Sequence, residues 1–189
     1  MTLEFTNVLK GVVTQTLLMA LFERGGYRVT RLGIEELFGE VKHLDIQHYW
    51  DLNLPLQLRY LPDLLVAEID MTHLFLVEVK FRRKFDQSAV ESLHEELKKQ
   101  HEYWPQAYTV IMIAEPLVPD GKFHQDYIRV LKPDEHGLLL DARLSLAQRW
   151  ERLHHLQRVF TRFNNDRYIL DVQKSADTLT QTLHDLAKL

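Results

Sequence analysis

The apolar residues Val8, Val12, Leu17, Leu18 and Leu21 recur at helical spacing between Thr6 and Glu23. The "RGG" that follows, and then "YRVTRL", predict a helix stop and a strand. From 33 to 57 no period holds: "GIEELFG" suits a short helix, and "HLDIQHYWDLNLPLQ" reads as strand or loop. Two β-type runs, 58–69 and 74–82, flank "DMTH", a connection short enough for a hairpin. The segment "QSAVESLHEELKKQHEYW" places Ala89, Leu93 and Leu97 at helical intervals and stops before Pro105. After it comes the apolar "AYTVIMIAE", a strand of the fully buried kind, and a helix between two strands predicts a crossover joining a parallel pair. Farther along, "DYIRVLKPDEHGLLLDARL" predicts another hairpin. "SLAQRWERLHHLQRVFTRF" predicts one amphipathic helix with Leu146, Trp150, Leu153, Leu156, Phe160 and Phe163 on its inner face, and a last helix is expected from Ser175.

Composition fits this α/β reading. The chain has 189 residues, 46% hydrophobic and 26% charged, enough to bury a core, and no repeat, low-complexity stretch or Pro/Gly/Ser-rich linker divides it. A single domain over 1–189 is expected, with a core at about 6–115 and a C-terminal β-hairpin and helical extension at about 123–189. The absence of cysteine excludes disulfides, thiolate metal sites and cysteine nucleophiles. No apolar run reaches membrane-spanning length and "MTLEFTNVLKGVV" lacks the basic start and apolar middle of a signal peptide, so a cytoplasmic protein without membrane contact is expected. A net charge of −4 argues against an indiscriminate polyanion binder and leaves any nucleic-acid surface local.

Within "YLPDLLVAEIDMTHLFLVEVKFRRK" an apolar strand carries Glu78 and Lys80 two positions apart. Unpaired charge taken out of water is costly unless it is paired or binds a metal. Strand alternation puts Glu78 and Lys80 on one face with Leu76, while Phe75, Val77, Val79 and Phe81 project to the other. A turn at 70–73 lays the start of the first strand beside the end of the second, which brings Asp63 within reach of both charges. Two carboxylates and an ammonium form a hard-oxygen site suited to Mg²⁺ or Mn²⁺, with the lysine placed to position or activate an attacking water.

Pro62-Asp63 followed by Glu78-Val79-Lys80 resembles the PD-(D/E)xK nuclease superfamily, which includes restriction endonucleases and Holliday-junction resolvases. The resemblance runs from residue 6 to about 115 and implies a restriction-endonuclease-like αβββαβ core with a mixed central sheet. It also implies a metal-dependent nuclease that hydrolyses phosphodiester bonds, DNA being the first expectation, and leaves a 5′-phosphate. By position, Asp63, Glu78 and the Val79 carbonyl would be the metal ligands and Lys80 would orient the water. Family members often place a Glu on the first helix four residues after a Gly; here Gln15 follows Gly11, which implies a one-metal site, or reduced activity, in place of a two-metal clamp, with Gln15 assisting through a hydrogen bond. Gln100 and Tyr103 loosely match a Gln and Tyr that some members carry on the crossover helix.

Glu-x-Lys occurs at Glu40, Glu78 and Glu96, and Pro-Asp at Pro62, Pro119 and Pro133, so the pattern by itself is common; only the middle copy sits on paired strands. Arg82, Arg83 and Lys84 directly follow it and either contact phosphates or form a polar strand end, and Arg149, Arg152, Arg158 and Arg162 with His154 and His155 read first as the solvated face of an amphipathic helix and second as another backbone-contacting surface. His94 and His101 lie too far apart on a helix to be adjacent zinc ligands, and neither a phosphate loop nor a Gly-x-Ser-x-Gly elbow occurs. Two other readings stand beside the enzyme: a nuclease-like domain that has lost catalysis and binds nucleic acid or protein, and a scaffold α/β domain. Two-fold logic admits a symmetric homodimer or a place in a larger complex.

Overall fold

The computed structural model describes residues 2–37, 46–117 and 124–164, with positions 39, 44, 178, 181, 182, 184 and 185. Helix α1 (Thr2–Arg24) is followed by strand β1 (Tyr27–Arg31) and three short helices, α2 (Ile34–Leu37), α3 (Ile46–Asp51) and α4 (Leu56–Arg59). Strands β2 (Leu64–Glu68) and β3 (Leu74–Arg82), helix α5 (Gln87–Tyr103) and strand β4 (Tyr108–Ile113) come next. Helix α6 (His124–Tyr127), strand β5 (Ile128–Leu131), a 3-10 segment at His136–Leu140, α7 (Leu146–Arg152), α8 (Leu156–Val159) and a 3-10 turn at Thr161–Asn164 follow. The five strands make one open sheet in the order β1-β2-β3-β4-β5. β1, β2 and β3 form an antiparallel meander, β3 and β4 run parallel across the α5 crossover, and β5 pairs antiparallel with β4.

Alternation sorts the strand side chains into two cores, one on each face of the sheet. On the first face Val77 and Val79 of β3 with Val110 and Met112 of β4 pack against Leu18, Leu21 and Phe22 of α1. Ile111 and Ile113 turn to the second face and meet Val90, Leu93 and Leu97 of α5. The expected alternation along β3 is therefore observed, as is the buried character of β4. α1 stops where Gly26 takes φ 80°, and an added Cβ at Gly25 would lie 2.2 Å from the Phe163 ring, so this reversal has room only for glycine. α5 starts at Asp86, whose carboxylate accepts the Ala89 amide hydrogen.

Of the apolar residues at helical spacing in α1, Val12 faces outward, 48% exposed. Three expectations are corrected. Residues 58–63 are not strand: helix α4 occupies Leu56–Arg59, β2 begins only at Leu64, and the stretch read as strand or loop holds α3, whereas the short helix expected in "GIEELFG" is present as α2. The C-terminal hairpin does not form; Ile128–Leu131 is a lone strand that extends the sheet beyond β4, and the second half of that run becomes the 3-10 segment. The long helix over 145–163 is broken, because its apolar residues serve both faces. Trp150 and Leu153 join the α5 core, whereas Leu156, Phe160 and Phe163 join the α1 core. A straight helix presents one apolar stripe to one surface. The chain instead crosses the β5 edge, where His154 and Val130 exchange both backbone hydrogen bonds at 2.8 and 2.9 Å. The helix expected from Ser175 falls mostly outside the described residues; positions 178, 181, 182, 184 and 185, which are described, are helical.

Candidate metal and phosphate site

Asp63 precedes β2 at the point where the β2–β3 ladder ends: Leu64 pairs with Val77, and beyond that pair β3 continues alone on this edge. The Val79 amide thus lacks a β2 partner and donates to Asp63 Oδ2 at 2.7 Å. On extended backbone a residue's carbonyl projects to the same edge as its amide, so the Val79 carbonyl opens toward Asp63 as well. Gln15 of α1 donates from Nε2 to Asp63 Oδ1 at 2.7 Å. The carboxylate is oriented by two donors from two different elements.

Glu78 and Lys80 project to the α5 side. Lys80 Nζ lies 2.8 Å from Glu78 Oε1 and 3.2 Å from Glu96 Oε2, and Gln100 donates to Glu78 Oε2. Burial by itself would lower the Lys80 pKa, but Glu78, Glu96 and Asp63 outweigh it and hold the ammonium above its ordinary value. Glu96 is also buried enough to favour its neutral form; the charges of Lys80 and Arg82 and a hydrogen bond from Ser92 reverse that and lower its pKa. Three carboxylates (Asp63, Glu78, Glu96) meet two cations (Lys80, Arg82), and Glu95, Arg59 and Lys99 of the surrounding lining bring the site to four charges of each sign.

Sequence reasoning passed over Ser92 and Glu96 in this arrangement, and reached Gln100 only through the loose resemblance. Ser92, Glu96 and Gln100 sit at i, i+4 and i+8 on α5, beside the apolar stripe of Val90, Leu93 and Leu97. The signal was present: a polar row flanking an apolar row on a helix that must cover a strand bearing charge. Arg82 alternates onto the same face and pairs with Glu96, while Arg83 and Lys84 both pair with Glu115 at 2.6 and 3.0 Å on the surface. The three basic residues expected to contact phosphate therefore divide, one inside the site network and two beside it. Arg149 and Arg162 of the late basic residues share no face either. Arg149 is buried and donates to the carbonyls of Leu139, Asp141 and Leu144, and Arg162 turns to Asp70 at the far hairpin.

Asp63, Glu78 and Lys80 lie in a cavity of about 480 Å³ that is also lined by Tyr49, Arg59 and Tyr60 from the segment between β1 and β2. Among the described residues no three His, Cys, Asp or Glu side chains are arranged to hold a metal ion. A cation here would draw on two carboxylates, one backbone carbonyl and water, a hard-oxygen set that suits Mg²⁺, which keeps much of its water and takes one or two protein carboxylates. Also among the described residues, no helix is long and apolar enough to cross a membrane. Family models, curated proteins and solved structures were compared with the chain, and none matches it.

Proposed function

We propose that the protein is a metal-dependent nuclease that hydrolyses phosphodiester bonds of nucleic acid, DNA before RNA. One observation carries this: Asp63, Glu78, Lys80 and the Val79 peptide converge where β2 and β3 part, in one cavity. The element order α1, β1, β2, β3, α5, β4, with β3 and β4 parallel, supports reading the sheet as a restriction-endonuclease-like core. A bound Mg²⁺ or Mn²⁺ would supply electrophilic stabilisation of the phosphate oxygens and a more acidic water. Asp63 and Glu78 are the residues to hold it, and Gln15 and the Val79 amide keep the Asp63 carboxylate from rotating. With its pKa raised, Lys80 stays protonated at neutral pH; it serves as a donor that orients the attacking water and opposes the charge growing on the phosphate, not as a base.

Cleavage of plasmid, linear duplex, single-stranded and branched DNA and of RNA, with Mg²⁺ and with Mn²⁺, tests this in wild type, Asp63→Ala and Lys80→Ala. Both substitutions should lower turnover by about 10²-fold or more while circular dichroism stays unchanged. Activity surviving in both variants would remove the site. A second reading rests on Gln15, an amide that donates to Asp63 where a further carboxylate would add charge: a domain that binds nucleic acid without cutting it. A folded wild type that binds all these substrates and cleaves none would establish that reading instead.

A further inference from the structure

The lining that the segment between β1 and β2 gives this cavity has its own chemistry. Tyr49 of α3 lies under the Arg59 guanidinium, 4.9 Å from ring centroid to Cζ, and Arg59 is steadied by donating from Nε to the Leu54 carbonyl. Tyr60 stacks on Tyr103 of α5 with ring centroids 5.4 Å apart and planes within 2°. Trp104 ties the same segment down again by donating from Nε1 to the Gln57 carbonyl at 2.9 Å. Two independent links thus fix α4 to the end of α5. The aromatic wall is preorganised, so a ligand that used it would not have to order it.

Taking the nuclease reading as its premise, we propose that this cavity is a subsite for one unpaired nucleotide, and that the substrate is single-stranded DNA or an unpaired end or flap. The phosphate belongs at the Asp63, Glu78 and Lys80 floor, with Lys99 at the rim, and the base at the wall of Tyr49, Arg59 and Tyr60. Flat aromatic rings and a guanidinium plane recognise the face of any base, which gives affinity without sequence code. At about 480 Å³ the cavity is in the range of single-ligand pockets. A base inside a duplex is stacked on both faces and reaches such a wall only after extrusion, at an energetic cost that an already unpaired base avoids.

The test measures binding with Ca²⁺ in place of Mg²⁺, to a short strand carrying 2-aminopurine and to the same strand annealed into a blunt duplex. Wild type should bind the single strand at least about tenfold more tightly and quench its fluorescence by stacking. Tyr49→Leu and Tyr60→Leu should each weaken single-strand binding by about tenfold and remove the quenching, leave duplex binding unchanged, and be rescued by Tyr49→Phe and Tyr60→Phe. Because Tyr49 takes no part in the Tyr103 stack, its variant keeps the test valid should Tyr60→Leu fold poorly. Equal affinity for both forms, preference for the duplex, or quenching that survives in the Leu variants would overturn the subsite. Quenching by a wild type that never cleaves would refute the nuclease reading and leave the subsite standing. Cleavage of duplex and single strand alike, unaffected in the tyrosine variants, would do the reverse.

Discussion

Lys80→Met should turn the site into one that needs a cation to be stable. In the wild type the ammonium lies between Glu78 and Glu96, with 22% of the Lys80 side chain and 11% of the Glu78 side chain exposed. Removing one partner of a buried pair costs about 3–5 kcal/mol, because the remaining charge has lost its solvent and its counter-ion. Glu96 is more exposed and keeps Arg82 and Ser92, so its share is screened and small, and the lower figure of about 3 kcal/mol applies. For a chain of this size that corresponds to a melting temperature lower by about 6–12 °C. A divalent cation bound by the same carboxylates restores about 2.7 kcal/mol at a hundred times its Kd. Thermal denaturation in EDTA and then in Mg²⁺ measures both quantities. The variant should melt well below wild type in EDTA and recover most of the difference in Mg²⁺, with wild type gaining less because its own ammonium competes with the ion. Because the folded pKa of Lys80 is raised, its stabilisation is complete below the lysine range and is lost only as pH climbs through that raised value, so neutral buffers measure it in full. An unchanged melting temperature in EDTA would show that the pair contributes nothing. A loss that Mg²⁺ fails to repair would show that Asp63 and Glu78 do not hold a cation.

Three further outcomes are expected. Gln15→Glu removes a donor from Asp63 and places a like charge beside it; it should cost about 1–3 kcal/mol in EDTA and tighten Mn²⁺ binding, read by chemical denaturation and by isothermal titration. Burial, with the neighbouring His101 and His94, pushes the His136 pKa down to about 4 against the small upward pull of Asp134. The unfolded chain therefore binds more protons between about pH 6.5 and 4, and stability should fall across that window by no more than about 3 kcal/mol, a slope that His136→Leu flattens in urea melts. Gly25→Ala pushes a methyl into the Phe163 ring at 2.2 Å and should cost about 1–3 kcal/mol, measured by thermal unfolding; an unshifted melting curve would mean that the Phe163 turn does not bear on this reversal.

The parts of this molecule that local rules decide were legible in its sequence. Strand alternation alone put Glu78 and Lys80 on one face and the valines on the other, and a five-residue reversal was enough to bring Asp63 alongside. What escaped depends on which surface an element covers. A run of apolar residues at 3.6 spacing predicts one helix only if all of them face one surface, and between Trp150 and Leu156 the surface changes from one side of the sheet to the other. No period within 145–163 carries that information, since it is set by where β5 ends. The same limit hid the α5 contribution. Glu96 looks like the solvated side of an amphipathic helix until the strand beneath it is known to present Lys80 and Arg82. It also hid the partner of Arg83 and Lys84, because Glu115 reaches them only across the parallel β3–β4 pair that a 17-residue helix makes possible. Charge in this site is balanced between elements distant in the chain. A residue-by-residue reading can name who carries the charge, and only the folded sheet decides which of those charges a cation or a phosphate would have to displace.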